Sequence, residues 1–372
     1  MAFPPLKIGD LVAKIPIIQG GMGVGISLSG LASAVAKEGG IGVIAAAMIG
    51  MNEPDVRKNF REANTRALAR EIRKARELSR GILGVNIMVA LTTFADLVRT
   101  AVQEKVDVIF SGAGLPLDLP KYLPEQSKTK LVPIVSSARA AGILCRKWLA
   151  RYKRLPDGFV VEGPKAGGHL GFKPEQLDDP SFSLERLVQD VLGVVRPYEE
   201  DHDTAIPVIA AGGIYSGKDV CKFLELGASG VQMGTRFVTT DECDADIAFK
   251  QSYLKAKKED MVVIKSPVGM PGRAINNEFL ESVSKGERKP ISCPYHCIST
   301  CEHKKSPYCI AAALLNAQKG ILSQGFAFAG VNAYLSDKIV SVRQLIQTLY
   351  DEYEEACTKI KSTMNPGTDS AV

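Results

Sequence analysis

The sequence predicts an α/β fold in which eight parallel strands close into a (β/α)8 barrel, followed by a C-terminal extension that carries a four-cysteine segment. Three observations predict it. Eight short apolar runs recur between residues 15 and 233, each followed by helical patterning, as parallel strands with helical crossovers require. Nearly every run ends in glycine, serine, asparagine or histidine, residue types that α/β enzymes place at the carboxyl ends of their strands. After Thr240 the alternation stops. An open doubly wound sheet satisfies the same periodicity, because periodicity does not show closure, but the count of eight favours a barrel.

The first strand covers residues 15–19 and runs into Gly20-Gly21-Met22-Gly23. A helix over 31–37, capped by Ser27 or Ser29, closes on Gly39-Gly40. Strands at 41–48 and 83–89 flank a polar-faced helix over 66–79, and the second of them holds Asn86, which an apolar core would not select. A helix over 94–104 leads to a strand over 106–110, and a strand over 131–135 ends in Ser136-Ser137. A helix over 138–152 precedes the sixth strand, 158–161, which opens into Glu162-Gly163-Pro164-Lys165-Ala166-Gly167-Gly168-His169-Leu170-Gly171. A helix over 184–195, a strand over 206–210 ending at Gly212-Gly213, a helix over 218–226 and a strand over 230–233 ending at Gly234-Thr235 complete the eight units.

Residues 1–240 thus form the barrel unit, and 241–365 the extension. The extension holds a helix over 244–259, a strand over 261–264, a glycine- and proline-broken loop over 266–273, the cysteines, and helices over 310–319 and 342–356. Leu345, Leu349 and Tyr353 share one face of the last helix, which packs either on the barrel or on a partner subunit in a homodimer. Residues 366–372 read as a disordered tail.

The 372 residues carry a net charge of +5, with basic residues interleaved among acidic ones on helical stretches such as 66–80. Without an arginine-rich arm or zinc-finger spacing, no nucleic-acid partner is expected. The N-terminal residues lack the regions of a signal peptide and no apolar run reaches membrane-spanning length, so a soluble, cytoplasmic protein with no membrane partner is expected. Eight cysteines are too few for a disulfide scaffold in a chain this long, and Cys145, Cys221, Cys243 and Cys357 read as scattered structural residues.

The chemistry concentrates at the strand ends. The loop after the sixth strand lets backbone approach a ligand closely, and it holds His169, whose ordinary pKa lies near neutrality. Taken alone, that loop could also be a surface turn with an incidental histidine. The ends of strands seven and eight, Gly212-Gly213 and Gly234-Thr235, are where barrels commonly bind phosphate. Gly20-Gly21-Met22-Gly23 admits a flat ring against the backbone, and Asn86 is either an amide partner for a heterocycle or a satisfied structural asparagine. No Walker lysine motif or aspartate-rich metal cage is present, which argues against nucleotide hydrolysis.

Five motifs then stand in a familiar order: Ile18-Gln19-Gly20-Gly21-Met22, Gly84-Val85-Asn86-Ile87-Met88, Glu162 through Gly171, Ala210-Ala211-Gly212-Gly213-Ile214 and Gly230-Val231-Gln232-Met233-Gly234-Thr235-Arg236-Phe237. They resemble the flavin barrel enzymes comprising nitronate monooxygenase (formerly 2-nitropropane dioxygenase) and enoyl-ACP reductase II, over roughly residues 10–350. The resemblance implies a TIM barrel holding non-covalent FMN and acting on a small molecule. Gly20, Gly21 and Met22 would lie by the isoalloxazine, and Asn86 would contact the flavin. Glu162 belongs to the cofactor-side loop. Gly167 and Gly168, with Gly212, Gly213, Gly234 and Thr235, would hold the phosphate. His169 would act as base or orienting donor toward a nitronate, or sit near the carbonyl of an enoyl thioester in an NAD(P)H-dependent reductase. Ser136, Ser137 and the loop Gly269 to Arg273 would shape the substrate face, with Arg273 either binding an anionic group on a substrate or on NAD(P)H, or lying on the surface.

Better-known members of that family lack the segment Cys293, Cys297, Cys301, Cys309, with its C-x3-C-x3-C-x7-C spacing. Four clustered thiolates predict a metal site, with a [4Fe-4S] cluster favoured over zinc and bare thiols third, and His296 and His303 either substitute for one thiolate or are merely exposed. A cluster beside FMN would supply an electron route and point to a reductase. A non-catalytic scaffold and a phosphate-binding isomerase are further readings, and both predict a colourless protein.

Overall fold

The computed structural model of the chain describes residues 2–287, 293 and 295–364; the expected tail, 366–372, lies outside them. Its centre is a ring of eight strands: β1 (Ile17–Gln19), β2 (Gly42–Ala45), β3 (Leu83–Asn86), β4 (Val108–Ser111), β5 (Lys130–Val135), β6 (Phe159–Glu162), β7 (Val208–Ala211) and β8 (Gly230–Met233). Each pairs in parallel with the next, and β8 returns to β1. Between β1 and β2 the ring closes through the Ile18–Ile41 bridge, where Gln19 N donates to Ile41 O at 3.0 Å and Ile41 N to Ile17 O at 3.0 Å. The buried Gln19 side chain reinforces this seam by accepting from Val43 N at 3.0 Å. The doubly wound alternative is therefore overturned in favour of the (β/α)8 barrel.

Alternate residues of the strands fill the interior: Ile18, Val43, Phe110, Val132, Val160 and Ile209 form one buried cluster. A hairpin of Leu6–Ile8 and Leu11–Ala13 closes the amino end of the barrel, adding Leu6, Ile8 and Ala13 to that cluster. Full burial of each large apolar side chain contributes roughly 1.5–3 kcal/mol. The sequence signal for this plug was the two-residue turn Gly9-Asp10 between apolar alternations, with Gly9 at φ +58°.

Several expected elements take different bounds. The second large helix spans Phe60–Leu78, and the fifth continues through Pro197 to give Leu184–His202. The extension's first helix is shorter, Ile247–Lys255, and a helix at Glu278–Ser284 was not foreseen. The helix Ser29–Lys37 is capped by neither expected serine. Asp244, far along the chain, accepts from the backbone N of Leu28, Gly30 and Leu31 at 2.7, 3.1 and 3.1 Å. Ser29 instead donates to Glu71 at 2.6 Å, and Ser27 accepts from Met22 N at 2.9 Å.

The 266–273 stretch is not all loop. Strands β9 (Met261–Lys265) and β10 (Pro271–Ile275) form an antiparallel pair, which Gly168–His169 extends as a third strand. Pro271 is tolerated because it opens its strand. The final helix, Val342–Met364, packs on Gly217–Glu225, with Leu345, Leu349 and Tyr353 buried. Cys221 and Cys357 join these helices in a disulfide with Cα atoms 6.1 Å apart, so they are paired rather than scattered. Among the described residues no helix is long and apolar enough to cross a membrane.

Candidate active site

The carboxyl ends of the strands surround a cavity of about 610 Å³. The structure brings together around it Gly20, Gly21, Met22, Asn86, Glu162, Gly167, Gly168, His169, Gly212, Gly213, Gly234 and Thr235, along with Ser136 and Ser137. Two glycines show why the residue type matters. A Cβ on Gly21 would lie 2.4 Å from the Cβ of Asn86, so only bare backbone lets β1 and β3 approach here. Gly168 sits at φ +79° with nothing within 4 Å of the Cβ position, a left-handed residue open on the cavity.

His169 follows Gly168 on the short strand that pairs with β10, opposite Gly272. Its Nε2 lies 2.8 Å from Ser266 Oγ, and its ring meets Phe328 edge-on with centroids 5.1 Å apart. Burial lowers the imidazole pKa from 6.5 to about 4, so the ring is neutral near neutral pH. Glu162, at the end of β6, moves the opposite way for the same reason: burial pushes its carboxyl up to about 7. A carboxyl shifted in this direction is more readily kept neutral than an ordinary glutamate.

Arg273 is not a surface residue and does not line the cavity. It is buried, and its guanidinium donates to the carbonyls of Pro164 and Ala166 at 2.5 and 2.9 Å. It clamps the loop that precedes His169. Ser137 is also committed to structure, capping the helix Ala138–Tyr152 by accepting from Ala140 N at 3.2 Å. Ser136 remains on the cavity wall, its Oγ 2.6 Å from the Cβ position of Gly171.

Two cavity-lining residues, Gln232 and Phe328, and Ser266, which holds His169, carry no assignment to the site from sequence. Ser266 and Phe328 come from the extension, where nothing local marks them. Gln232 could have been found: it is a polar residue within an apolar strand, and its Oε1 is buried without a hydrogen-bond partner among the described residues. Such an orphan costs about 1–3 kcal/mol unless a ligand satisfies it. The four cysteines do not line this cavity; they surround a second, smaller hollow with His296 and His303.

A family profile described as "Nitronate monooxygenase" matches residues 5–352. A probable nitronate monooxygenase of Staphylococcus aureus is 30% identical, covering 74% of this chain and 79% of that protein. A Mycobacterium tuberculosis protein named (3aS,4S,5R,7aS)-5-hydroxy-7a-methyl-1-oxo-octahydro-1H-indene-4-carboxyl-CoA dehydrogenase is 31% identical, covering 73% of this chain and 66% of that one. The structure of FabK from Thermotoga maritima superposes with a TM-score of 0.71 at 30% identity, covering 94% of this chain and 95% of that one. Nitroalkane oxidase from Streptomyces ansochromogenes shares the fold, with a TM-score of 0.70 at 21% identity over 93% and 97% of the two chains. The chain belongs to the nitronate monooxygenase family and is a flavin-dependent oxidoreductase.

Proposed function

We propose that the chain binds FMN in the barrel cavity and oxidises alkyl nitronates, with His169 as the residue that orients the substrate. The observation that carries this reading is His169 itself: a half-buried imidazole with a pKa of about 4, held by Ser266 at the wall of a glycine-lined cavity. A base that weak is poorly matched to removing a carbon-bound proton at neutral pH. A neutral imidazole is well suited to donate a hydrogen bond to an oxygen of a substrate that arrives already anionic. The Ser266 contact engages Nε2 and leaves Nδ1 for that purpose.

The cavity residues fit the cofactor. The close approach of Gly21 to Asn86 leaves a flat wall of backbone and amide, and the orphaned Gln232 Oε1 needs a donor such as a ring N–H. Gly20, Gly21, Met22 and Asn86 would hold the ring system, and Gly167, Gly168, Gly212, Gly213, Gly234 and Thr235 the phosphate, with Glu162 beside them. When bound, FMN supplies the electron-accepting chemistry. The chain's own part is to hold the substrate against it, to keep His169 neutral by burial, and to narrow the cavity with Phe328 and Met270.

A second reading is an NAD(P)H-dependent enoyl-thioester reductase. It is favoured by the likeness to FabK along nearly the whole chain and by the CoA thioester in the name of the mycobacterial relative. Mixing the flavin-loaded chain with each reductant under anaerobic conditions separates the two. Bleaching by ethyl nitronate without a nicotinamide supports nitronate oxidation. Bleaching only by NAD(P)H, reversed by a crotonyl thioester, replaces it with the reductase.

A further inference from the structure

The four cysteines of the extension converge on one hollow, walled also by His303, Tyr308 and Ile310. Cys297 is buried and the other three are half-buried. None is in a disulfide, although Cys221 and Cys357 of the same chain are. The described residues of the segment carry almost no regular structure of their own and dock on the barrel and on the turn between β9 and β10. Thr92 N donates to Cys297 O at 3.1 Å, Ser299 N to Ala90 O at 2.9 Å, and Thr300 Oγ1 to Val268 O at 3.2 Å. The fold thus gathers four free thiols that sequence alone leaves up to sixteen residues apart.

A single zinc and a cuboidal cluster ask for different spacings of the four sulfurs. A single tetrahedral zinc with Zn–S bonds of about 2.3 Å draws its four sulfurs to roughly 3.8 Å from one another. Among the described residues, the one trio of ligand atoms that all lie within 4.8 Å of each other is Cys221, Glu225 and Cys357; no three of these four cysteines meet that limit. A cuboidal cluster, whose thiolates bind four different irons at its corners, needs the wider arrangement.

We propose that Cys293, Cys297, Cys301 and Cys309 ligate a [4Fe-4S] cluster set one side chain away from the catalytic cavity. Ile310, which follows Cys309, lines both hollows, and Ile298, which follows Cys297, lines the cavity. The ligation stands on the cysteines alone. That the cluster neighbours a redox cofactor rests on reading the cavity as a flavin site.

The test uses the full chain, produced with ample iron and purified without oxygen. Iron, acid-labile sulfide, zinc and flavin are measured on the same sample, with an electron paramagnetic resonance spectrum after dithionite reduction. About four irons and four sulfides per chain and a reduced-cluster signal are expected. Cys297→Ala and the less buried Cys301→Ser lower iron and sulfide at least about tenfold, and Cys301→Ser retains flavin, which shows that it is folded. His303→Ala keeps its iron. One zinc per chain without sulfide overturns the proposal. So does failure of the reduced chain to take up ferrous iron and sulfide when both are supplied. Iron and sulfide without flavin would sink the flavin reading and leave the cluster; flavin without iron would do the reverse.

Discussion

Ser266 Oγ lies 2.8 Å from His169 Nε2, so the extension, and not the barrel that carries the histidine, sets the direction of the imidazole. Ser266 is itself fixed, its N donating to Met270 O at 3.0 Å in the turn between β9 and β10. Ser266→Ala removes one hydrogen bond, typically about 0.5–1.5 kcal/mol, and should lower kcat/KM for a nitronate by roughly 3–10-fold. His169→Ala removes the donor and should lower it by about 100–1,000-fold. Steady-state assays on both variants at equal flavin content check this order. Equal losses, or none in His169→Ala, would remove the histidine from the reaction.

The two shifted groups of the cavity should have opposite signatures in stability against pH. His169 has a folded-state pKa of about 4, below its ordinary 6.5, so the unfolded chain binds more protons in that window and its contribution is lost as pH falls from 6.5 toward 4. Glu162 has a folded-state pKa of about 7, above its ordinary 4.5; here the folded chain binds more protons, and stability is lost as pH rises from 4.5 through 7. Glu162→Gln should therefore gain on the wild type with rising pH, by up to about 3 kcal/mol above neutrality, and show no gain below pH 4.5. Urea unfolding of both proteins at several pH values reads the difference.

Gly21→Ala should abolish flavin retention, because its Cβ would lie 2.4 Å from the Asn86 Cβ. Adding Asn86→Gly removes that obstacle and should restore part of the bound flavin. A double variant as empty as the single one would place the conflict elsewhere.

Arg273→Met leaves the carbonyls of Pro164 and Ala166 without their charged donor. Loss of two such bonds should cost about 3 kcal/mol, seen as a lower Tm and weaker flavin binding. The KM for a nicotinamide, where one is used, should not move, because the guanidinium is buried away from the cavity.

Asp244→Ala should destabilise the chain by about 2 kcal/mol, since one carboxylate caps three backbone N–H groups of the helix Ser29–Lys37. Ser27→Ala should act on the Met22 loop rather than on that helix.

The barrel strands were legible because their signal is local: an apolar run followed at once by glycine or a polar residue, as at Gln19-Gly20-Gly21 and Ala211-Gly212-Gly213. The same locality gathered His169, Asn86 and the glycines into one expected site before any contact was known. The partners of those residues were not legible. Asp244 reaches a helix over two hundred residues earlier in the chain, Ser266 reaches His169 across 97 residues, and Cys357 finds Cys221 across 136. Arg273 looked like an anion binder because a lone arginine in a loop carries no sign of what it will be buried against. It lies in a strand instead. Gln232 alone had a local mark, and its orphaned oxygen gives that mark a physical meaning.

The central claim is that the glycine-lined cavity is a flavin site, and the most direct test is to denature the purified chain and identify and count the chromophore released. FMN at about one per chain is predicted, with little or none from Gly21→Ala. A colourless wild-type chain that takes up no FMN when it is added in excess would contradict the account.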